Sequence, residues 1–379
     1  MEEVNLRVII AAAGTGGHIN PGIAIANKIK KEEPNSEIIF IGTTRGLETD
    51  LLPRAGYELK TIESYGMSRS FTIKNIKRLI KTIKSIGQAK KIIKEFKPDI
   101  IVGTGGYICI SVCIAAKKMK IPYIIHESNV LPGIATKMLA RGADKVLVGF
   151  KEAKTKLPSS TNVVITGTPT KAIDLKLNSN QIQKIKQDLG FERDVPLVLV
   201  FGGSQGAQSI NNSLIEIIKH KLNRNYQIMW SVGTTQYNII KENLAKSDIN
   251  VDNIKNIKVV PYIYNMGEVM NVASLLVCRS GAMTITEIEK IGKPAIFIPF
   301  PYAAENHQEY NARALEKAGA AKVILDKNLN SKILNNMIES LVIDENKLKI
   351  MGKNSQQLSI DNVEDRIYKE IVKTKKGTK

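Results

Sequence analysis

Within residues 11–21, AAAGTGGHINP, His18 is the side chain able to take or give a proton near neutral pH, with an unperturbed pKa of about 6.5. Gly14, Gly16 and Gly17 precede it, so the backbone can turn tightly and approach a ligand with no Cβ atoms in the way. An apolar run, Leu6-Arg7-Val8-Ile9-Ile10, leads into the turn, and Pro21 suits the first turn of a helix. A helix over 22–31 would aim unpaired N–H groups at an anionic or electron-rich partner. Two features argue against a dinucleotide turn. Ile19 stands where its third glycine belongs, and the strand over 37–41 closes with Gly42-Thr43-Thr44 in place of a ribose-binding acid.

Further along, other loops carry similar chemistry. Gly103-Thr104-Gly105-Gly106-Tyr107 reads as a phosphate cradle, and His126-Glu127-Ser128-Asn129 follows a buried apolar run, where His126 and Glu127 suit structural hydrogen bonding. In the second half, Gly202-Gly203-Ser204-Gln205-Gly206 pairs a tight turn with hydrogen-bonding side chains. The run 278–287, CRSGAMTITE, takes a strand through Ser-Gly into a helix start, a geometry suited to a diphosphate. Glu287, two turns in, can grip vicinal hydroxyls, and the polar run 305–311, ENHQEYN, suits a sugar.

The elements that must position these loops alternate. Strands are expected at 7–13, 37–41, 59–63, 100–102, 123–126, 145–148 and 163–166, with helices at 22–31, 75–96, 108–119 and 135–141 among them. After a break near Gly167-Thr168-Pro169-Thr170 the alternation resumes, with strands at 197–201, 227–232, 258–260, 274–277, 295–298 and 322–324. Such alternation predicts an α/β protein with two Rossmann-like domains, parallel sheets facing across a cleft and ligand loops at the carboxyl ends of the strands. The expected boundaries are 1–167 and 168–354, with a helix within about 355–379 packing back on the first domain.

Composition narrows the function classes. With 379 residues, 43% of them apolar, the chain suits two domains, and no apolar run approaches the ~20 residues of a membrane span. The start MEEVNLRVII lacks the basic beginning of a signal peptide. Three cysteines, Cys109, Cys113 and Cys278, form no C-x-x-C pair and read as reduced core thiols of a cytosolic protein. The net charge of +19 is partly concentrated between Arg69 and Lys97, where ten basic residues face only Glu95. There Ile73, Ile76, Leu79, Ile80, Ile83 and Ile86 recur at three and four residues, the pattern of an amphipathic helix. The stripe accounts for core packing. Its leading end, with Ile73, Lys74, Ile76, Lys77, Arg78 and Lys81, also suits an anionic membrane surface. A nucleic-acid partner rests on net charge alone, which leaves the glycine loops unexplained.

With these residues assembled, the chain resembles the MurG-type glycosyltransferases of bacterial cell-wall synthesis, essentially end to end. The resemblance rests on GTGGH at 14–18 with Pro21, GTGGY at 103–107, IHESN at 125–129, GTPTK at 167–171, GGSQGA at 202–207, RSGAMTITE at 279–287 and HQEYNA at 307–312. It implies a GT-B fold and an inverting transfer, without metal or cofactor, of N-acetylglucosamine from UDP-N-acetylglucosamine to lipid I, giving lipid II for peptidoglycan, cell shape and division. It further implies a peripheral place on the cytoplasmic membrane face, other cell-wall synthesis proteins as partners, and no nucleic acid.

Carried across by position, the resemblance gives His18 the role of base. Gly14, Gly105, Gly106, Tyr107 and Asn129 fall on the acceptor side. Thr15, Gly16, Gly17, Lys171, Ser204, Gln205, Gly281, Ala282, Met283, Thr284 and Gln308 fall to the donor, with Ile263 meeting uracil through its backbone and Glu287 holding the ribose. The sequence departs from the family pattern in four places. Lys171 replaces an arginine, Glu309 a glutamine, Ile110-Ser111 a Gly-Pro pair, and HESN stands for HEQN. Two other readings use similar loops: a GT-B transferase with a different acceptor, and an epimerase of the same UDP-sugar.

Overall fold

A computed structural model gives the fold of residues 6–64, 73–170, 177–203, 205–250 and 253–376, with the backbone alone described for 73–83 and 376. The chain divides into two compact units, 1–171 with 360–379, and 172–359.

The first unit is built on seven strands: β1 (Arg7–Ala12), β2 (Glu37–Gly42), β3 (Glu58–Thr61), β4 (Ile100–Gly105), β5 (Tyr123–Glu127), β6 (Lys145–Val148) and β7 (Val163–Ile165). They form one sheet in the order β3-β2-β1-β4-β5-β6-β7, and every pairing is parallel. A parallel sheet covered on both faces needs strands apolar on both faces, which β1 and β4 supply with Val8, Ile9, Ile10, Ile100, Ile101 and Val102, all fully buried. Helices α1 (Gly16–Glu32), α2 (Glu48–Arg54), α3 (Ile73–Phe96), α4 (Ile108–Lys118), α5 (Ile134–Leu139) and α6 (Lys151–Lys154) supply the crossovers. The later half of α3 is core, with Ala89 and Ile93 buried and Ser85 hydrogen-bonded to Ser111 of α4 at 2.6 Å.

Two expectations are corrected at α1. The helix begins at Gly16, not beyond Pro21, so Gly16, Gly17 and His18 form its first turn while Pro21 lies inside it. Proline lacks the N–H that would bond the Gly17 carbonyl. The turn before it is held instead by His18 N and Ile19 N, both donating to Thr15 O at 3.0 and 3.1 Å.

The second unit repeats the plan with β8 (Leu197–Phe201), β9 (Gln227–Ser231), β10 (Ile257–Val260), β11 (Leu275–Cys278), β12 (Ala295–Phe297) and β13 (Ala321–Val323). Their order is β10-β9-β8-β11-β12-β13, again parallel throughout. Around them run α7 (Ser179–Asp188), α8 (Gln208–Lys219), α9 (Tyr237–Ala245), α10 (Met266–Val272), α11 (Ala282–Ile291), α12 (His307–Lys317), α13 (Ser331–Val342) and α14 (Glu345–Leu358).

The last helix, α15 (Val363–Lys376), belongs to the first unit. Val363, Ile367 and Ile371, spaced at i, i+4, enter the core cluster of β1 and α1. Polar contacts flank that stripe: Lys28–Asp365 at 2.6 Å, Tyr368 Oη to Glu33 at 2.7 Å and Lys145–Glu370 at 2.6 Å.

Candidate active site

In each sheet the strand order reverses once, between β1 and β4 and between β8 and β11. Loops leaving two such strands diverge to opposite faces and open a crevice, the usual ligand position in this architecture.

In the first unit the crevice holds His18. Its Nδ1 lies 3.2 Å from Ala13 O. A carbonyl can only accept, so this bond places the proton on Nδ1 and leaves Nε2 as the basic nitrogen of the neutral ring. The loop after β4 packs directly on the imidazole. Gly105 has φ +125°, and a Cβ there would fall 2.3 Å from His18 Cδ2, so only glycine fits. Thr104 Oγ1 donates to His18 O at 2.8 Å and ties α1 to β4. Tyr107, 48% exposed, stands at the rim, and Gly14, Thr15 and Gly17 are exposed. Cys109 lies beneath, and burial pushes its thiol up to about 12, so it stays protonated.

The loop after β5 is tied to one carboxylate. Glu127 Oε1 accepts from Asn129 N and Nδ2 at 3.0 and 3.1 Å, and Oε2 accepts from Gly133 N and Thr136 Oγ1 at 2.9 and 2.7 Å. One buried carboxylate therefore orients Asn129 and anchors the start of α5. His126 Nε2 donates to Gly167 O at 2.9 Å, and burial holds this imidazole below its ordinary pKa.

In the second unit the loops after β8, β11 and β12 surround a cavity of about 650 Å³. Gly202, Gly203 and Gly206 form one wall, and Gly281, the cap of α11, with Thr284 forms another. Phe300, Tyr302 and Gln308 complete the rim. Gly206 has φ +77°, and a Cβ there would lie 2.1 Å from Val232 O, so the loop after β9 closes against it. Gln308 Oε1 accepts from Phe300 N at 2.9 Å, which leaves its NH2 as the remaining polar end. Arg279 is the keystone. It donates to Ile298 O, Pro299 O and Asp326 Oδ2 at 3.0, 3.1 and 2.5 Å, and to Ser209 Oγ at 3.0 Å. Its fork thus joins the loops after β11 and β12, Asp326 beyond β13 and the start of α8, a task for planar geometry.

Comparison with known proteins agrees with this geometry. The N-terminal domain of glycosyltransferase family 28 matches residues 8–148, and the C-terminal domain of that family matches residues 197–367. A UDP-N-acetylglucosamine–N-acetylmuramyl-(pentapeptide) pyrophosphoryl-undecaprenol N-acetylglucosamine transferase from Acetivibrio thermocellus is 43% identical, over 98% of this chain and 99% of that relative. The chain belongs to the MurG-type glycosyltransferases of family 28. The crystal structure of MurG from Acinetobacter baumannii superposes with a TM-score of 0.79 at 28% identity, covering 97% of this chain and 99% of that one. A UDP-N-acetylglucosamine 2-epimerase from Neisseria meningitidis shares the fold at a TM-score of 0.65 and 15% identity, covering 97% and 100% of the two chains. The MurG-type assignment also establishes an inverting family and the GT-B class.

Within this MurG-type chain, His18, Gly105 and Gly106 meet at one crevice, while Gly281, Thr284 and Gln308 line the cavity of the other unit. Gln205, Ile263, Ala282, Met283 and Glu287 do not line that cavity. Ile263 has a buried side chain, so any ligand contact falls to its backbone. Glu287 is half-buried one helical turn beyond Thr284, on the same side of α11. Glu309 faces Asn306 at 2.6 Å and Arg313 at 3.7 Å. Lys171 and Ser204 lie outside the described residues, as do the side chains of Ile73, Lys74, Ile76, Lys77, Arg78 and Lys81. Among the described residues no group of three His, Cys, Asp or Glu could hold a metal ion.

Sequence reasoning missed two residues. Arg279 appeared only as part of a motif, because its partner Asp326 is 47 residues away. Glu48 gave no signal at all, yet it is fully buried under the first glycine loop. Its Oε2 accepts from Gly14 N at 2.9 Å, and its Oε1 from Thr43 N and Thr43 Oγ1 at 3.0 and 2.6 Å. Burial opposes the charge, but these bonds outweigh it and hold the carboxyl below its ordinary pKa.

Proposed function

We propose that the chain transfers N-acetylglucosamine from UDP-N-acetylglucosamine to the C4 hydroxyl of the muramoyl sugar of lipid I, forming lipid II with inversion. The observation that carries this reading is the 43% identity, over 98% of the chain, to the transferase named for that pair of substrates.

In the proposed step the acceptor oxygen attacks the anomeric carbon as the bond from that carbon to the diphosphate breaks. The hydroxyl proton passes to His18 Nε2, and the electron pair leaves with UDP. An alcohol is too weak an acid to lose its proton unaided near neutral pH, so a base within reach is needed. The acceptor occupies the first unit, with Gly14, Gly105, Gly106, Tyr107 and Asn129 near its diphosphate and sugar. UDP occupies the second, its charge met by N–H groups of residues 281–284 at the start of α11 and by the 202–206 loop. Glu287 grips the ribose, Ile263 the uracil and Gln308 the sugar. Thr15, Gly16, Gly17 and Lys171 complete the donor contacts. The reaction is written without metal or cofactor. Incubation with UDP-N-acetylglucosamine and a lipid I analogue, followed by mass analysis, should give one added N-acetylhexosamine and free UDP. Turnover of the UDP-sugar to an epimer without acceptor would replace this reading by the epimerase one.

The place of work is the cytoplasmic membrane face. No described helix is long and apolar enough to cross a membrane. The leading end of α3 supplies the contact, each Lys or Arg adding roughly 1 kcal/mol at an anionic surface. Exchanging Lys74, Lys77, Arg78 and Lys81 for Gln should weaken binding to anionic vesicles and flatten its salt dependence, while turnover of a short soluble acceptor persists. Equal vesicle binding by variant and parent would leave the stretch a solvated face.

A further inference from the structure

We infer that Glu48 is a positioning residue that orients and polarises His18 through a single peptide group. This rests on the reading of His18 as the base. The decisive geometry is that Gly14 N and Ala13 O belong to the same peptide. Glu48 Oε2 accepts from its N–H end at 2.9 Å, and its C=O end receives His18 Nδ1–H at 3.2 Å. Carboxylate, peptide and imidazole therefore form one line of hydrogen bonds. A carboxylate on the N–H pushes electron density towards the carbonyl oxygen, which then holds the imidazole N–H more tightly. The result is the service a carboxylate gives a catalytic histidine by direct contact, namely a fixed tautomer, a fixed ring and a stabilised imidazolium.

The surroundings are built to seat this carboxylate. Glu48 is fully buried, and Gly42 and Gly46 leave the room for it. A Cβ on Gly42 would come 2.9 Å from Glu48 Cγ, and one on Gly46 would come 2.0 Å from Oε2. Thr43 fills the other oxygen with two donors, at 3.0 and 2.6 Å, which keeps Oε2 aimed at Gly14. A buried carboxyl with so many donors stays ionised, so it acts as a fixed charge and not as an acid. The dinucleotide fold places an acid near the end of its second strand for a ribose. Here the acid comes from α2 and turns inward onto the glycine loop.

The test begins with the parent protein. Nitrogen-15 spectra of the His18 imidazole, assigned by comparison with His18→Ala, should show the Nδ1–H tautomer as the neutral form. A dominant Nε2–H tautomer overturns the inference. Glu48→Gln keeps the size but turns an NH2 towards one of the three donors. It should lower kcat about 10²-fold, the cost of a slightly misplaced catalytic group, with UDP affinity unchanged. In a His18→Ala background the same change should cost nothing beyond about twofold, because the two residues act as one unit. Asp50→Asn, on the exposed side of α2 beside Arg54, should keep the parental kcat. A parental kcat in Glu48→Gln, an undiminished loss in the His18→Ala background, or an equal loss in Asp50→Asn each overturns it. If His18→Ala keeps the parental kcat, the base reading falls, and the parent tautomer still decides whether the relay exists.

Discussion

The two strand-order reversals are built from the same parts, a glycine loop after the first strand of each sheet and a helix start beside it, yet they are equipped oppositely. The first unit seats an ionisable ring, His18, ties its loop to the buried carboxylate of Glu48, and holds a second fully bonded carboxylate, Glu127, at the end of β5. The second offers a cavity of about 650 Å³ walled by glycine loops and aromatic rims, with Arg279 in its lining spent on protein carbonyls and Asp326. On the proposed reading, one scaffold moves a proton and the other receives charge. A family 28 transfer needs both. The attacking oxygen must lose a proton while the leaving diphosphate gains charge.

The largest test of that division is His18→Ala. It should lower kcat by ~10²–10⁴ while UDP affinity stays at the parental level, since general-base catalysis contributes that much. A loss confined to acceptor KM would make both crevices binding sites and erase the contrast. The second test acts on the other side. Glu287→Ala should raise donor KM by about ten- to a hundredfold with kcat little changed, as expected for a hydrogen bond to a charged group worth ~1.5–3 kcal/mol. Unchanged donor kinetics would confine the nucleotide to the cavity lined by Thr284 and Gln308.

The smallest effect concerns stability, and it should appear in the first unit alone. Burial lowers the His126 pKa from its ordinary 6.5 in the folded state. Below that pH the unfolded chain binds a proton that the folded one refuses, so stability present above about 6.5 falls as the pH drops towards the folded value. Urea midpoints should therefore decline between pH 7.5 and 5.5, and His126→Gln should flatten the decline. This window lies above the range where carboxylates titrate, so Glu48 does not contribute to it. An unchanged slope in the variant would assign the decline elsewhere.

Much of this contrast was legible in the sequence because its signals are local. Apolar runs of three to seven residues marked the strands, and glycines after β1, β4 and β8 marked the loops. Lys145–Val148 and Leu197–Phe201 coincide with their expected bounds. The start of α1 was misplaced because Pro21 outweighed the glycines as a punctuation mark, although the helix begins five residues upstream of it. Glu48 and Arg279 stayed hidden for a different reason. Each acts on backbone groups brought close by sheet order, and no spacing along the chain encodes which carbonyl or amide will lie within 3 Å. The role of Glu127 was partly visible, since its partners Asn129, Gly133 and Thr136 follow within nine residues.

The return of α15 to the first unit has a consequence for biosynthesis. Residues 1–171 leave the ribosome first, but Val363, Ile367 and Ile371, which complete their core, emerge last. The intervening unit spans 172–359, which takes roughly 10 to 40 s to translate. For that interval the face of β1 and α1 that α15 covers is without its partner, and nascent first units on neighbouring ribosomes can meet through it. The second unit, continuous in sequence, completes its own fold while the earlier one waits. In this chain the order of synthesis and the order of completed folding run in opposite directions.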